Sequence, residues 1–141
     1  MSDGFKADHA DDPKIVRETV DGIEFLVIRG VPLAPKLGFD SYAGQFAYLM
    51  PNGLCFLKRF PTFPDRVYNE VAAITACIFY PREGFVELEP IGPRETLAPG
   101  ESASFTEEWW LAPFDFPASP EALDLPALVA RVRATLNASG G

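Results

Sequence analysis

The sequence predicts an all-β fold, an antiparallel β-sandwich that carries one C-terminal helix. Fourteen prolines and eleven glycines divide the 141 residues into short segments, which is typical of all-β proteins. Most of these segments are rich in β-branched and aromatic residues, and twelve phenylalanines can fill a core. Only the last part of the chain, residues 125–136, repeats its apolar residues at helical spacing.

The length suits one domain, and the composition divides the chain into three parts. Residues 1–13 are acidic and polar and end in proline, which predicts a disordered arm. Residues 14–112 hold the strand-like segments and form the predicted β-sandwich domain. Residues 113–141 form a predicted loop and the C-terminal helix.

The first strands form a predicted hairpin. Residues 14–20 and 23–29 are strand-like and flank Asp21-Gly22, a strong signal for a two-residue turn. Between residues 23 and 28 the apolar side chains become almost continuous, so we expect this strand to be covered on both faces.

A second hairpin follows a proline- and glycine-containing connection, residues 31–42, that carries Lys36 and Asp40. The hairpin joins residues 45–50 and 54–60 around Pro51-Asn52-Gly53.

Lys58 is unusual because strand alternation places it among apolar neighbours of this second hairpin. One interpretation is a lysine that extends to the edge of the sheet. The other is a lysine that reaches a ligand or a carboxylate.

The next segments are less regular. Residues 61–68 are a predicted loop, and residues 70–80 are ambiguous, although their second half favours a strand. A turn is predicted at Pro81-Arg82-Glu83-Gly84. Two strands, residues 84–93 and 105–111, then follow, joined by a proline/glycine corner.

Glu87 and Glu89 share one face of the first of these strands, opposite Val86 and Leu88. Two neighbouring carboxylates either form a solvated surface or lie in a polar site. In a site they could bind sugar hydroxyls, share a cation, or divide acid and base roles. Trp109, near the end of the second strand, either stacks on a sugar or fills a core.

The helix is predicted to begin at Leu125, with Asp124 as its N-cap. Its apolar face should pack on the sandwich or on a partner. This face is formed by Leu125, Leu128, Val129, Val132 and Leu136.

Composition excludes several classes of function. The net charge of −8 disfavours nucleic acid and anionic membranes as partners, because both attract basic surfaces. The sequence shows neither a signal peptide nor an apolar run long enough to span a membrane, so we expect a cytoplasmic location.

Familiar catalytic and cofactor motifs are also missing from the sequence. His9 is the single histidine and lies in the predicted arm, which argues against Ser/His/Asp and Cys/His catalysis. Cys55 and Cys77 lie in apolar runs and are predicted to be buried free thiols. We expect no metal site and no cofactor.

Six motifs follow one another between residues 30 and 112. They are Pro35-Lys36-Leu-Gly-Phe-Asp40, Leu54-Cys-Phe-Leu-Lys58-Arg-Phe60, Phe63-Pro-Asp65, Phe85-Val-Glu-Leu-Glu-Pro-Ile-Gly-Pro93, Leu97-Ala-Pro-Gly-Glu-Ser102 and Thr106-Glu-Glu-Trp109. Together they resemble the motifs of an uncharacterised bacterial family with a galactose-mutarotase-like, or aldose epimerase-like, fold. The resemblance extends over only the C-terminal half of the family's length.

The resemblance implies half of a β-supersandwich that binds carbohydrates. Glu89 would then be the base that accepts the anomeric proton, with Glu87 as its neighbour. Lys36, Asp40 and Lys58 would lie near the same cleft. We assign Trp109 to ligand binding as well.

Two hypotheses about function remain open. The first is a small mutarotase-like protein that binds a carbohydrate or a related polyhydroxylated ligand, with proton-transfer chemistry of the epimerase, isomerase or lyase type as one option. The alternative is a non-catalytic sugar-binding or subunit-interaction module, which the missing histidine acid favours. Since half a supersandwich leaves a face and edges to cover, we expect a homo-oligomer.

Overall fold

The computed structural model describes residues 11–138, which form antiparallel β-sheets and one C-terminal α-helix. The predicted fold class, an all-β sandwich with a C-terminal helix, is confirmed. Two short 3-10 helices lie at Val71–Ala73 and Pro120–Ala122. The strands and the helix are β1 Ile15–Val20, β2 Ile23–Ile28, β3 Lys36–Phe39, β4 Gln45–Met50, β5 Leu54–Arg59, β6 Ala76–Arg82, β7 Phe85–Pro90, β8 Glu108–Pro113 and α1 Leu125–Ala138.

The strands of the described chain form three sheets. β1 and β2 form a hairpin, while the orders of the other two sheets are β3-β6-β7 and β4-β5-β8. β7 and β8, the two strands predicted on either side of the proline/glycine corner, therefore belong to different sheets. The segment between them, residues 91–107, carries the chain from one sheet to the other without regular secondary structure.

The first hairpin forms as predicted, but one expectation about it is wrong. Asp21 and Gly22 both have positive φ, 52° and 77°, as a two-residue hairpin turn requires. However, Leu26 and Glu24 are exposed on one face of β2, and only the opposite face, with Phe25 and Val27, packs on the core. The expected cover on both faces fails because an isolated two-stranded sheet has one face on the core and the other in solvent.

The predicted connection at residues 31–42 contains strand β3. It pairs with β6 in a register that runs from Lys36 opposite Phe79 to Phe39 opposite Ala76. Pro35 precedes the strand and Gly38 lies inside it, so the sequence resembles a loop. Because β3 is a four-residue edge strand, proline can precede it without loss of a ladder hydrogen bond.

The ambiguous segment at residues 70–80 resolves into a 3-10 turn followed by β6. The strand preference of its second half is confirmed. β6 continues through Pro81 and Arg82, so the predicted turn shrinks to Glu83 and Gly84. The pairing of β6 with β7 is irregular between Phe79 and Arg82, which lets proline lie within the strand.

The main core lies between helix α1 and one face of the β4-β5-β8 sheet. Partly buried side chains of the β1-β2 hairpin, Phe25 and Val27, pack against it. The helix therefore packs on the sheet, one of the two arrangements expected from its apolar face. The buried members of this core are Cys55, Leu57, Leu125, Leu128 and Val129.

The opposite face of the β4-β5-β8 sheet meets the β3-β6-β7 sheet. Lys58 of β5 donates a hydrogen bond from Nζ to the main-chain oxygen of Leu88 in β7, at 2.7 Å. Leu37 and Ile78, on the face of β3 and β6 that corresponds to Leu88, are buried. The β4-β5-β8 sheet is therefore the middle layer of the described fold.

Most of the predicted N-terminal arm, including His9, lies outside the described residues. Asp12, at the end of that arm, is buried and accepts hydrogen bonds from the main-chain N–H groups of Lys14 and Leu33. Across residues 11–138, no helix combines the length and the apolar character that crossing a membrane would need.

Asp124 should stabilise the helix as its N-cap. Its Oδ1 accepts a hydrogen bond from the main-chain N–H of Ala127 at 2.9 Å. We expect Asp124→Ala to lower the free energy of unfolding by about 1 kcal/mol in chemical denaturation, because one helical N–H loses its partner. Asp115→Ala, which removes an exposed carboxylate from the loop before the helix, is the matched control. Equal stability of the two variants would contradict the capping role.

Candidate functional site

A groove of about 390 Å³ lies where β7 meets the middle sheet. Strands β4, β5 and β8 supply its floor, and β7 supplies one wall. Aromatic and apolar side chains dominate the lining, with one ammonium group among them. The lining residues that matter for the chemistry are Tyr48, Phe56, Lys58, Phe85, Leu88 and Trp109.

Strand register explains why these side chains meet. Tyr48 lies opposite Phe56, and Lys58 lies opposite Trp109. Because side chains alternate along a strand, all four point to the same face of the sheet. That face is the one directed toward β7, so the alternation of three strands collects them in the groove.

Lys58 is held firmly at the floor of the groove. The residue is 8% exposed, and its Nζ contacts the Leu88 carbonyl and, at 3.0 Å, Oε2 of Glu107. The ammonium also lies 5.1 Å from the centroid of the Trp109 ring, within cation–π range. Of the two interpretations of Lys58, the structure shows a lysine that reaches a carboxylate.

Trp109 does not fill the core. The residue is 63% exposed, and its indole Nε1 donates a hydrogen bond to Oε2 of Glu107 at 2.8 Å. Its ring meets Phe56 edge to face, with centroids 5.6 Å apart. Two directional contacts therefore orient an exposed aromatic ring at the rim of the groove, whereas the neighbouring Trp110 packs against the main core.

A second polar group lies on the outer face of the β3-β6-β7 sheet. Lys36 Nζ bonds both carboxylate oxygens of Glu89, at 2.8 and 3.0 Å, and lies over the ring of Phe79. The side chains are 46% and 34% exposed, respectively. The hydrogen bond to Glu89 raises the pKa of Lys36, which keeps its ammonium charged at neutral pH.

Glu87 shares this outer face and is exposed, opposite Phe79 in the register. Cys77, opposite Glu89, is buried beside the ion pair, and burial is the main reason why the pKa of its thiol is raised. Asp40 is exposed, one residue beyond β3. Desolvation is the main reason why the pKa of Tyr42 is raised, and the negative charge of Asp40 is the second.

The structure thus brings the predicted site residues together in two pairs and not in one cluster. Lys58 and Trp109 meet in the groove, and Lys36 and Glu89 meet outside it. The two pairs lie on opposite faces of the β3-β6-β7 sheet because Glu89 points away from the face that Leu88 presents to the groove. Within the described residues of one chain, the single cleft that the resemblance implies is not formed.

Sequence reasoning missed Glu107 as a member of the site. Its carboxylate is the common acceptor for Lys58 and Trp109. The available signal was the alternation that places Glu107 and Trp109 on one face. That signal identifies the partner of Lys58 only once β5 is known to pair with β8.

The described part of the chain has no cluster of metal-ligating side chains and no exposed cysteine. Among residues 11–138, no three histidine, cysteine, aspartate or glutamate side chains are close enough to hold a metal ion. Cys55 and Cys77 are buried free thiols, as predicted. Burial raises the pKa of Cys55 to about 11, which keeps it protonated and unreactive at neutral pH.

Comparison of the chain with protein-family models, with curated proteins and with solved structures finds no match in any of the three. The structure is a β-sandwich with a small groove lined by aromatic and apolar side chains. The relationship to the galactose-mutarotase-like family stays a prediction from the motifs.

Lys58 and Lys36 offer a matched test of how burial changes the contribution of an ion pair to the free energy of unfolding. We expect Lys58→Met to lower the free energy of unfolding by about 1–3 kcal/mol, because it leaves the Leu88 carbonyl without its donor and removes the cation that pairs with Glu107, which keeps the indole N–H of Trp109. Lys36→Met removes a lysine from an exposed pair and should cost no more than about 1 kcal/mol.

Urea denaturation of both variants measures the difference. A double-mutant cycle between Lys58→Met and Glu107→Gln isolates the coupling within the buried pair. A larger loss from Lys36→Met than from Lys58→Met would contradict the view that Lys58 joins the two sheets.

Proposed function

We propose that this protein binds a carbohydrate or a related polyhydroxylated ligand in the groove, as a binding module. The observation that carries the proposal is the Trp109 ring, which is exposed at the rim and fixed in orientation by Glu107 and Lys58. Aromatic rings present a flat apolar surface on which the C–H face of a sugar can stack.

The shape and lining of the groove support a small ligand. Its volume, about 390 Å³, lies within the range of roughly 300–1,000 Å³ that is usual for small-molecule sites. Such sites combine an apolar, aromatic lining with a few polar groups. Tyr48, Phe56 and Phe85 provide the first, and Lys58 provides the second. Glu107 does not line the groove, but it contacts two residues that do, Lys58 and Trp109.

The polar pair retains hydrogen-bonding capacity for hydroxyl groups. An ammonium has three donors, and Lys58 uses two of them on Leu88 and Glu107. Glu107 accepts both of its bonds at Oε2, so that Oε1 has no protein donor in the part of the chain described by the structure. The third donor of Lys58, and an acceptor on the adjacent Glu107, suit a ligand that carries neighbouring hydroxyls.

The remaining expectations keep the status of predictions from composition. These are a cytoplasmic location, the lack of nucleic-acid and membrane partners, and the lack of a cofactor. The net charge of −8 continues to argue against polyanionic partners.

Thermal-shift screening of the wild-type protein against neutral monosaccharides and uronic acids tests the proposal, since a ligand of the native state raises the melting temperature. For a sugar found in this way, Trp109→Ala should weaken binding in isothermal titration calorimetry by about tenfold or more, because the stacking surface is lost.

Phe116→Ala is the control, because it removes another exposed aromatic side chain, one that borders a separate cavity beside α1. Absence of any sugar-induced shift in the wild-type protein would defeat the proposal. So would unchanged affinity in Trp109→Ala.

The Lys36–Glu89 pair supports a second candidate, proton-transfer chemistry on a sugar. In this alternative Glu89 is the base, and the charged lysine beside it takes the acid role that a histidine would otherwise supply. The pair lies outside the groove, so the two candidates use different surfaces and can be tested separately.

Interconversion of aldose anomers, followed by NMR, tests this second candidate. If it is correct, the wild-type protein accelerates the interconversion, and Glu89→Gln removes most of the acceleration because the base is lost. Glu87→Gln, which changes the neighbouring exposed carboxylate, should retain the rate. A wild-type rate equal to that in buffer would eliminate proton transfer and leave the groove proposal unaffected.

A further inference from the structure

The outer edge of strand β8 is unpaired within the described chain. The strand order β4-β5-β8 places β8 at the end of its sheet. A free edge presents main-chain donors and acceptors to which another strand can bind.

Hydrogen-bond alternation shows which residues of β8 present these groups. The main-chain N–H of Phe114 bonds the oxygen of Gly53 at 3.0 Å, and this pair continues the β5–β8 register. In an antiparallel ladder, directly bonded pairs alternate with non-bonded pairs. Ala112, Trp110 and Glu108 therefore bond β5, whereas the main-chain groups of Trp109, Leu111 and Pro113 point outward.

Pro113 fits this pattern. An edge position whose N–H would face away from the sheet accepts proline without loss of a ladder hydrogen bond. The outward donors within β8 are consequently the N–H groups of Trp109 and Leu111. The carbonyl groups of these two residues also point outward. Trp109 and Leu111 therefore each offer one main-chain donor and one main-chain acceptor to a partner strand.

We propose that β8 pairs in antiparallel orientation with β8 of a second copy of this chain, about a two-fold axis at Trp110. In this register Trp109 lies opposite Leu111 of the second copy, and the reverse pair follows by symmetry. Each of these two pairs exchanges both of its N–H···O bonds, which gives four main-chain hydrogen bonds.

The side chains on this edge are suited to the same partner. Trp109 and Leu111 are 63% and 61% exposed and share one face of β8. In the proposed register each tryptophan becomes the cross-strand neighbour of a leucine, so two apolar side chains pack against each other across the strands. Two large apolar side chains that are exposed in the single chain thereby gain contacts in the dimer.

Local charge also permits close approach, although the chain carries a net charge of −8. Glu108 is paired with Arg59, with 2.7 Å between Oε2 and Nε. Glu107 is paired with Lys58 at 3.0 Å. The two carboxylates beside the edge are therefore each balanced by a cation, which lowers the repulsion between copies at this surface.

The proposed pairing would also change the groove, and the importance of this change rests on the proposed function. It would form one continuous sheet of six strands, with both grooves opening on the same face. Leu111 of the second copy would lie beside Trp109 at the rim, so each copy would contribute a side chain to the binding surface of the other.

Sedimentation velocity over a concentration series tests the pairing. Leu111→Pro removes an outward N–H and no bond to β5, so it should weaken dimerisation by about tenfold or more with little change in melting temperature. Leu111→Val keeps the N–H and an apolar side chain and should dimerise nearly as well as the wild type. A wild-type protein that stays monomeric throughout the series would overturn the proposal.

The double variant Trp109→Cys/Leu111→Cys tests the register directly, even if Leu111→Pro does not fold. In the proposed dimer, the two introduced thiols lie opposite each other across the strands, so oxidation should link the chains covalently. Each single variant should form no such link, because its introduced thiols lie diagonally across the axis. Absence of a linked dimer from the double variant would contradict this register, whatever its effect on ligand binding.

Discussion

The buried ammonium of Lys58 is the interaction on which the arrangement of the two larger sheets depends. It binds the main chain of β7 and the carboxylate of Glu107, just before β8, from a position on β5. A buried charge is costly unless it is paired and hydrogen-bonded, as Lys58 is by Glu107 and Leu88. Because Lys58 must keep these partners, its contacts fix the distance between the two sheets. The groove between the sheets is lined by Lys58 as well. Stability and the proposed binding surface arise from one side chain.

Strand alternation explains why the polar residues separate into two groups. A step of one residue along β7 moves the side chain from the face of the groove to the outer face of the sheet. Glu87 and Glu89 share the outer face with Lys36, whereas the intervening Leu88 faces the groove. A ligand bound on one face of this sheet cannot reach the polar groups of the other face. Binding and proton transfer are thus distinct hypotheses about distinct surfaces.

Local signals predicted much of the fold. The turns at Asp21-Gly22 and Asn52-Gly53 and the cap at Asp124 depend on few neighbouring residues, and each appeared where expected. β3 was missed because Pro35 and Gly38 hide a strand that tertiary pairing with β6 stabilises. Lys58 and Trp109, both chosen from the sequence, meet in one groove, whereas the contact of Glu107 with them depends on a register between distant strands. No local pattern contains that information.

The edge of β8 extends the same reasoning beyond a single chain. Natural sheets usually protect a free edge with charge, proline or a covering segment. Here Pro113 blocks one outward position, and the ion pairs of Glu107 and Glu108 neutralise the beginning of the strand. Trp109 and Leu111 between them remain open and apolar. Because only Trp109 and Leu111 are unprotected, a partner strand can pair with this edge in few registers. This restriction favours one defined pairing over non-specific association.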